Sequence, residues 1–131
     1  MKFSEAIKEA DAIKPNAFSA DTKKRWLLEL EGIIAADVML MDISELRQLN
    51  QLDSSGDRET LVSFPHDGLY VTYLTAKIDE LNGEYNKYAN TMQMFNGQLN
   101  SFKRWFAQTY EPANGYYFPN LTRGASKYGN V

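Results

Sequence analysis

From Val71 to Phe106 the apolar residues recur at steps of three and four without a slip: Val71, Leu74, Ile78, Leu81, Tyr85, Tyr88, Met92, Phe95, Leu99, Phe102 and Phe106. This alternation lines them along one side of a helix, so the stretch His66–Tyr110 predicts the element around which the chain is organised. Length then sets a limit. At ~1.5 Å per residue, one unbroken helix over 67–106 would run about 60 Å. A compact domain of this size is only about 30 Å across. Asn82-Gly83 offers relief, because both residues tolerate the left-handed conformation found just past a helix C-terminus. Two helices, 67–82 and 84–110, joined at Gly83 are expected. A kinked or straight helix remains the alternative, since the phase of the seam never breaks.

Upstream, Ser4 followed by EAIKEADAI predicts a capped helix with Ala6, Ile7, Ala10 and Ile13 on one face. Lys14-Pro15-Asn16 stops it. Ser19 is the expected cap of a second helix reaching about Met41, with Asp21 in its first turn and a broad stripe of Trp26, Leu27, Leu30, Ile33, Ile34, Val38 and Met41. Gly32 within it costs roughly 1 kcal/mol relative to alanine, so close approach of a neighbouring helix is expected there. Residues 42–66 are the least regular. Ser44–Leu49 suggests a helical turn, 53–57 a turn by composition, and Thr60–Pro65 an extended segment, before Asp67 caps the long helical region. The fold expected is all-α: a small bundle of about four helices with a long C-terminal helix and an irregular extended loop (about 42–66). Residues 1–111 form the helical domain and 112–131 an extended C-terminal tail. The core list is Trp26, Leu30, Ile34, Leu74, Ile78, Tyr88, Met92, Phe95 and Leu99.

A length of 131 residues suits one core. The N-terminal MKFSEAIKEADAI is charged and amphipathic, unlike a secretion signal, and no run approaches the ~18 apolar residues of a membrane span. No cysteine is present, which fits a reducing cytoplasm and removes thiolate chemistry. A net charge of −3 argues against a general nucleic-acid binder. Its distribution is uneven. Residues 1–81 hold 15 acids and 9 bases, net −6, whereas 82–131 hold 2 acids and 5 bases, net +3. Such polarity allows head-to-tail association; chance asymmetry in a small chain is the plainer account.

The sequence offers little chemistry. It has no phosphate-binding glycine loop, nucleophile elbow or metal-ligand spacing. His66, between Pro65 and Asp67, could be a base oriented by a carboxylate, but the reading preferred is a structural residue at a loop-to-helix junction. Asp79-Glu80 and Glu29 with Glu31 are expected on solvated faces, because adjacent helical positions diverge. No catalytic residue, cofactor or metal is expected, and the chain does not read as an enzyme.

The polar side of the last helix says more. Asn86, Asn90, Asn96 and Asn100, with Gln93, Gln98 and Thr91, occupy positions where an exposed helix usually carries Glu and Lys. Asparagine and Gly97 are weak helix formers, whereas neutral amides can be buried once hydrogen-bonded. This predicts a protein-binding face through Asn86, Asn90, Gln93 and Asn100. Lys103 and Arg104 near the helix end either complement its dipole or face passing DNA. The aromatic tail, with Tyr116, Tyr117, Phe118 and Tyr128, either docks on another surface or packs on its own domain.

IKPNAFSADTKKRWLLELEG (13–32) and PHDGLYVTYLTAKIDELNGEYNKYANTMQMFNGQLNSFKRWFAQTY (65–110) resemble head–tail adaptor, or head-completion connector, proteins. These are small proteins from the structural-gene clusters of tailed phages and prophages of Gram-positive bacteria. The likeness covers about residues 3–112. It is most specific from Asp67 through Asn82-Gly83-Glu84-Tyr85 to Asn90, Met92, Phe95-Asn96 and Trp105-Phe106. It implies a helical structural protein of the virion, assembled in the host cytoplasm. Its subunits would form a cyclic homo-oligomeric ring, a dodecamer, under the portal protein. That ring would extend the channel for genomic DNA and dock a stopper or tail-completion protein. The family shares no catalytic motif to carry over. A DNA-binding or packaging accessory protein of a phage is the alternative, and it would need a coherent basic face.

Overall fold

A computed structural model describes residues 1–49 and 51–113, with side chains to Thr109. The described residues are all-α, with five helices: α1 (Phe3–Ile13), α2 (Ala20–Asp37), α3 (Ile43–Gln48), α4 (Gly68–Leu81) and α5 (Tyr85–Ala113). Among the described residues the only β pairing is an isolated antiparallel bridge, Lys2 to Glu59. α5 runs past the boundary expected at 111, and residues 114–131, with Tyr116, Tyr117 and Phe118, lie outside the described residues.

The long seam is two helices. Gly83 takes φ +77°, a left-handed conformation that costs glycine little, and the Asn82, Gly83 and Glu84 N–H groups close back on Ile78, Glu80 and Asp79 carbonyls at 3.0, 3.1 and 2.9 Å. α4 and α5 then run antiparallel, with Tyr73 on Phe95 at 5.2 Å between ring centroids and His66 on Phe102 at 5.8 Å. One unbroken phase serves both arms because each turns its apolar side to the other. Val71, Leu74, Ile78, Phe95 and Phe102 are buried, and Met92, Leu99 and Phe106 are half-buried against them. Leu81 and Tyr85 depart from the expected seam. They flank the chain reversal, where nothing lies opposite, and are 53% and 68% exposed. Tyr88 is half-buried rather than in the core.

α4 is central, packing on α5, α1 and α2. It therefore buries more than one stripe: Leu69, Tyr70, Val71, Leu74, Ala76 and Ile78 all face inward. α2 lies antiparallel to it, with Lys77 over the Trp26 ring and Tyr70 beside Glu31.

Several boundaries differ from those expected. α1 begins two residues early, at Phe3, with Lys2 in the cap position. Ser4 is not its cap; its hydroxyl donates to Asp57 Oδ2 at 2.6 Å, while Glu5 Oε1 accepts the Lys2 N–H at 2.7 Å. Ile13 lies 64% exposed at the end of α1. Ser19 does cap α2, accepting the Thr22 N–H at 3.1 Å, but α2 stops at Asp37 rather than Met41. Leu40 turns left-handed (φ 55°) while the Met39 and Met41 N–H groups satisfy Ile34 and Ala35 carbonyls. No glycine or proline marks that stop. Ile33 is half exposed, and a Cβ on Gly32 would meet nothing within 4 Å, so no helix among the described residues packs closely over it. α3 opens on a capping box: Asp42 accepts from the Glu45 N–H at 2.9 Å and Glu45 accepts from the Asp42 N–H at 3.1 Å. Leu61 and Val62 are bends and Phe64 and Pro65 form a turn, so Thr60–Pro65 is not an extended segment. Asp67 sits before α4 without capping it; its carboxylate lies 3.5 Å from the Met1 amino group.

Candidate functional site

The most buried polar group in the fold is Glu31, at 0% exposure. It accepts from Arg58 Nη2 at 2.6 Å, from the Leu61 N–H at 3.1 Å and from the Tyr70 hydroxyl. Tyr70 Oη also accepts the Val62 N–H at 3.0 Å, and Arg58 lies over the Phe3 ring, 5.3 Å from its centroid. Burial pushes the Glu31 carboxyl above its ordinary range against the pull of these donors. Burial and the Glu31 charge push the Tyr70 phenol up as well. Every strong donor here is internal, so the cluster fixes the 58–62 loop onto α2 and α4.

This corrects the expectation that Glu31 and Asp79 are solvated. Asp79 is also buried, and Lys14 Nζ stands 2.8 Å from its Oδ1. Lys23, at 3% exposure, pairs with Asp11 at 2.6 Å. The spacing carried the signal for the first of these: Leu27, Glu31, Ile34 and Val38 share one helical stripe, so Glu31 occupies a core position.

His66 rests on the Phe102 and Trp105 rings at 5.8 and 5.5 Å. It lines a cleft of about 220 Å³ with Pro65, Gly68, Gln98 and Ser101, where Gln98 Oε1 is buried without a donor. Among the described residues no carboxylate lines that cleft, and the carboxylate of Asp67 instead faces Met1, so these residues do not assemble the base–orienter pair. A second cleft, about 330 Å³, lies between α2 and α3. Leu28, Gly32, Leu46 and Leu49 line it, with Arg25 and Glu29. Among the described residues no three His, Cys, Asp or Glu side chains converge as metal ligands, and no helix is long and apolar enough to cross a membrane.

The face of α5 away from α4 is the remaining candidate. Asn86, Asn90, Gln93, Gly97, Asn100 and Arg104 are all exposed and follow one another by four, three, four, three and four, a straight stripe opposite the apolar seam. Between Tyr85 and Thr109 there is no acidic residue. A Cβ on Gly97 would meet nothing within 4 Å. The three bases of this stretch do not share a direction. At ~100° per residue, Lys87 and Lys103 project to opposite flanks of the stripe on which Arg104 lies. Lys87 is also paired with Glu84 at 3.1 Å. α5 thus brings together the four amides expected at an interface, but it separates Lys103 from Arg104.

No protein-family model matches the chain, and neither a curated protein nor a solved structure is similar to it.

Proposed function

We propose that this protein is a structural interaction protein, a head–tail connector of a tailed phage or prophage. In this reading its subunits form a ring under the portal, extend the DNA channel and dock the next head-completion or tail protein. The observation that carries the protein-binding part is the α5 stripe: an exposed, acid-free row of amides centred on a helical glycine. A solvated helix gains nothing from such weak helix formers, while a protein interface tolerates neutral amides better than charges. The resemblance of 13–32 and 65–110 to connectors supplies the rest. The aromatic residues Tyr116, Tyr117 and Phe118 are assigned as anchors on a neighbouring subunit or the portal, with Arg123 and Lys127 drawn to acidic neighbours.

The divergence of Lys87, Lys103 and Arg104 supports protein contact over the DNA-binding alternative, which needs several bases on one face. The full chain mixed with a portal and examined by native mass spectrometry should give a closed ring of subunits on the portal. A chain cut after Ala113 should keep its melting temperature and lose that assembly. Tight, salt-dependent binding to free duplex DNA with no portal affinity would instead establish the packaging-accessory reading.

A further inference from the structure

We infer that the α5 stripe is the contact between two copies of this chain, crossing antiparallel at Gly97. This names one occupant for the face that carries the protein-binding part of the connector reading, and it rests on that part. The argument begins with cost. A glycine in a helix interior gives up roughly 1 kcal/mol relative to alanine, and among the described residues nothing packs over Gly97 to offset that loss. What bare backbone at an exposed helical position permits is the close passage of another helix.

The chemistry of the stripe then selects the occupant. An amide carries both donors and an acceptor, so Asn and Gln can pair with their own kind, which a row of charges cannot do. The residues bordering Gly97 along the stripe are Gln93 and Asn100, and beyond them Asn90 and Arg104. About a two-fold axis at Gly97, Gln93 meets Asn100 of the second copy and Asn90 meets Arg104, whose guanidinium needs only acceptors. Every position therefore faces a hydrogen-bonding complement. The absence of any acid between Tyr85 and Thr109 matters equally, since a partner helix of opposite charge would find only three diverging bases to engage.

Charge also fixes the direction. In a parallel, in-register pair Arg104 would stack on its own copy. The antiparallel crossing places Arg104 and its copy fourteen residues apart along the axis, about 21 Å. That distance is well beyond the Debye length of ~8 Å at physiological salt. Helix dipoles oppose favourably in the same arrangement. A single-helix crossing buries less than the ~1,200 Å² of a standard stable interface, so the pairing is weak and concentration-dependent.

The full chain has no cysteine, so one introduced thiol per subunit reports the geometry cleanly. Asn96→Cys would lie about 3 Å along the axis from its copy in the antiparallel pair, whereas Lys87→Cys would lie about 30 Å from its own. A short bismaleimide should therefore link Asn96→Cys into dimers and leave Lys87→Cys monomeric. Gly97→Leu, read by sedimentation equilibrium, should weaken dimerisation at least about tenfold with the helical circular dichroism and melting temperature kept or raised. Linking at both positions would mean a parallel pair and overturn the inference. So would a wild-type chain that stays monomeric at high concentration, or one that dimerises but links at neither position or ignores Gly97→Leu.

Discussion

Lys14 Nζ stands 2.8 Å from Asp79 Oδ1 and 3.0 Å from Glu84 Oε1, so one ammonium at the end of α1 bridges the last turn of α4 and the start of α5. The close contact with the Asp79 carboxylate, then the hydrogen bond to Glu84, raises the Lys14 ammonium above its ordinary range. Lys14, then Lys87, lowers the Glu84 carboxyl. A raised lysine contributes stability that is fully present below the ordinary lysine value and lost as pH climbs through the raised one. The lowered Glu84 contributes above the ordinary carboxylate value and loses that contribution as pH falls through the depressed one. In Lys14→Met the Glu84 carboxyl should titrate at higher pH than in the wild type, measured by side-chain NMR. An unmoved midpoint would show that the bridge does not form in solution.

Tyr70→Phe removes the hydroxyl that both donates to Glu31 and accepts from Val62. Two buried groups lose a partner at once, so the variant should be less stable by about 1–3 kcal/mol in chemical denaturation. Glu31→Leu alone should cost about 3–5 kcal/mol, because it leaves Arg58 Nη2, the Leu61 N–H and the Tyr70 hydroxyl without their acceptor. Combining it with Arg58→Met should recover part of that loss. A double variant as unstable as the sum of the singles would mean the two side chains act independently.

Leu74 and Phe95 lie across the α4–α5 interface, both buried. Truncating either to alanine should cost about 2–5 kcal/mol. Tyr85→Ala, at a position 68% exposed on the same numerical seam, should change stability by less than about 0.5 kcal/mol. Equal losses at all three sites would contradict the hairpin, since only a continuous seam would bury Tyr85.

Two glycines should respond with opposite signs. Gly83, at φ +77°, should lose about 1–2 kcal/mol on substitution by alanine. Gly32 has ordinary helical geometry and open space above it, so Gly32→Ala should gain about 0.5–1 kcal/mol. Thermal melts of the two variants check both, and destabilisation by Gly32→Ala would mean that something approaches α2 there after all.

The helices were legible because their signals are local. The three-four alternation gave α4 and α5, Asn82-Gly83 gave the joint, Ser19 gave the start of α2, and the amide stripe could be read before any coordinates. What could not be read was decided across the chain. Ser4 resembles a cap, but Asp57 takes its hydroxyl from fifty-three positions away. Leu40 turns the chain left-handed with no residue type to announce it. Leu81 and Tyr85 keep the period yet face solvent, because a period cannot tell a side chain opposite its partner from one at the tip of a hairpin. For Glu31, the divergence of neighbouring helical positions suggests a solvated face, yet its own spacing from Leu27, Ile34 and Val38 puts it inside.

The Glu31 cluster also bears on the order in which this chain folds. Arg58 reaches Glu31 across 27 residues, Tyr70 reaches it across 39, and Ser4 meets Asp57 across 53. Contacts so distant in sequence must wait for loop closure, whereas the α4–α5 hairpin closes locally around Gly83. The irregular segment therefore has no site to occupy until α1, α2 and α4 have met, and it completes the native state last. Segments that depend on such late contacts are the first to open under native conditions. The half-buried Leu61 amide, and even the buried Val62 amide, should exchange with solvent well before those of α4 beside them.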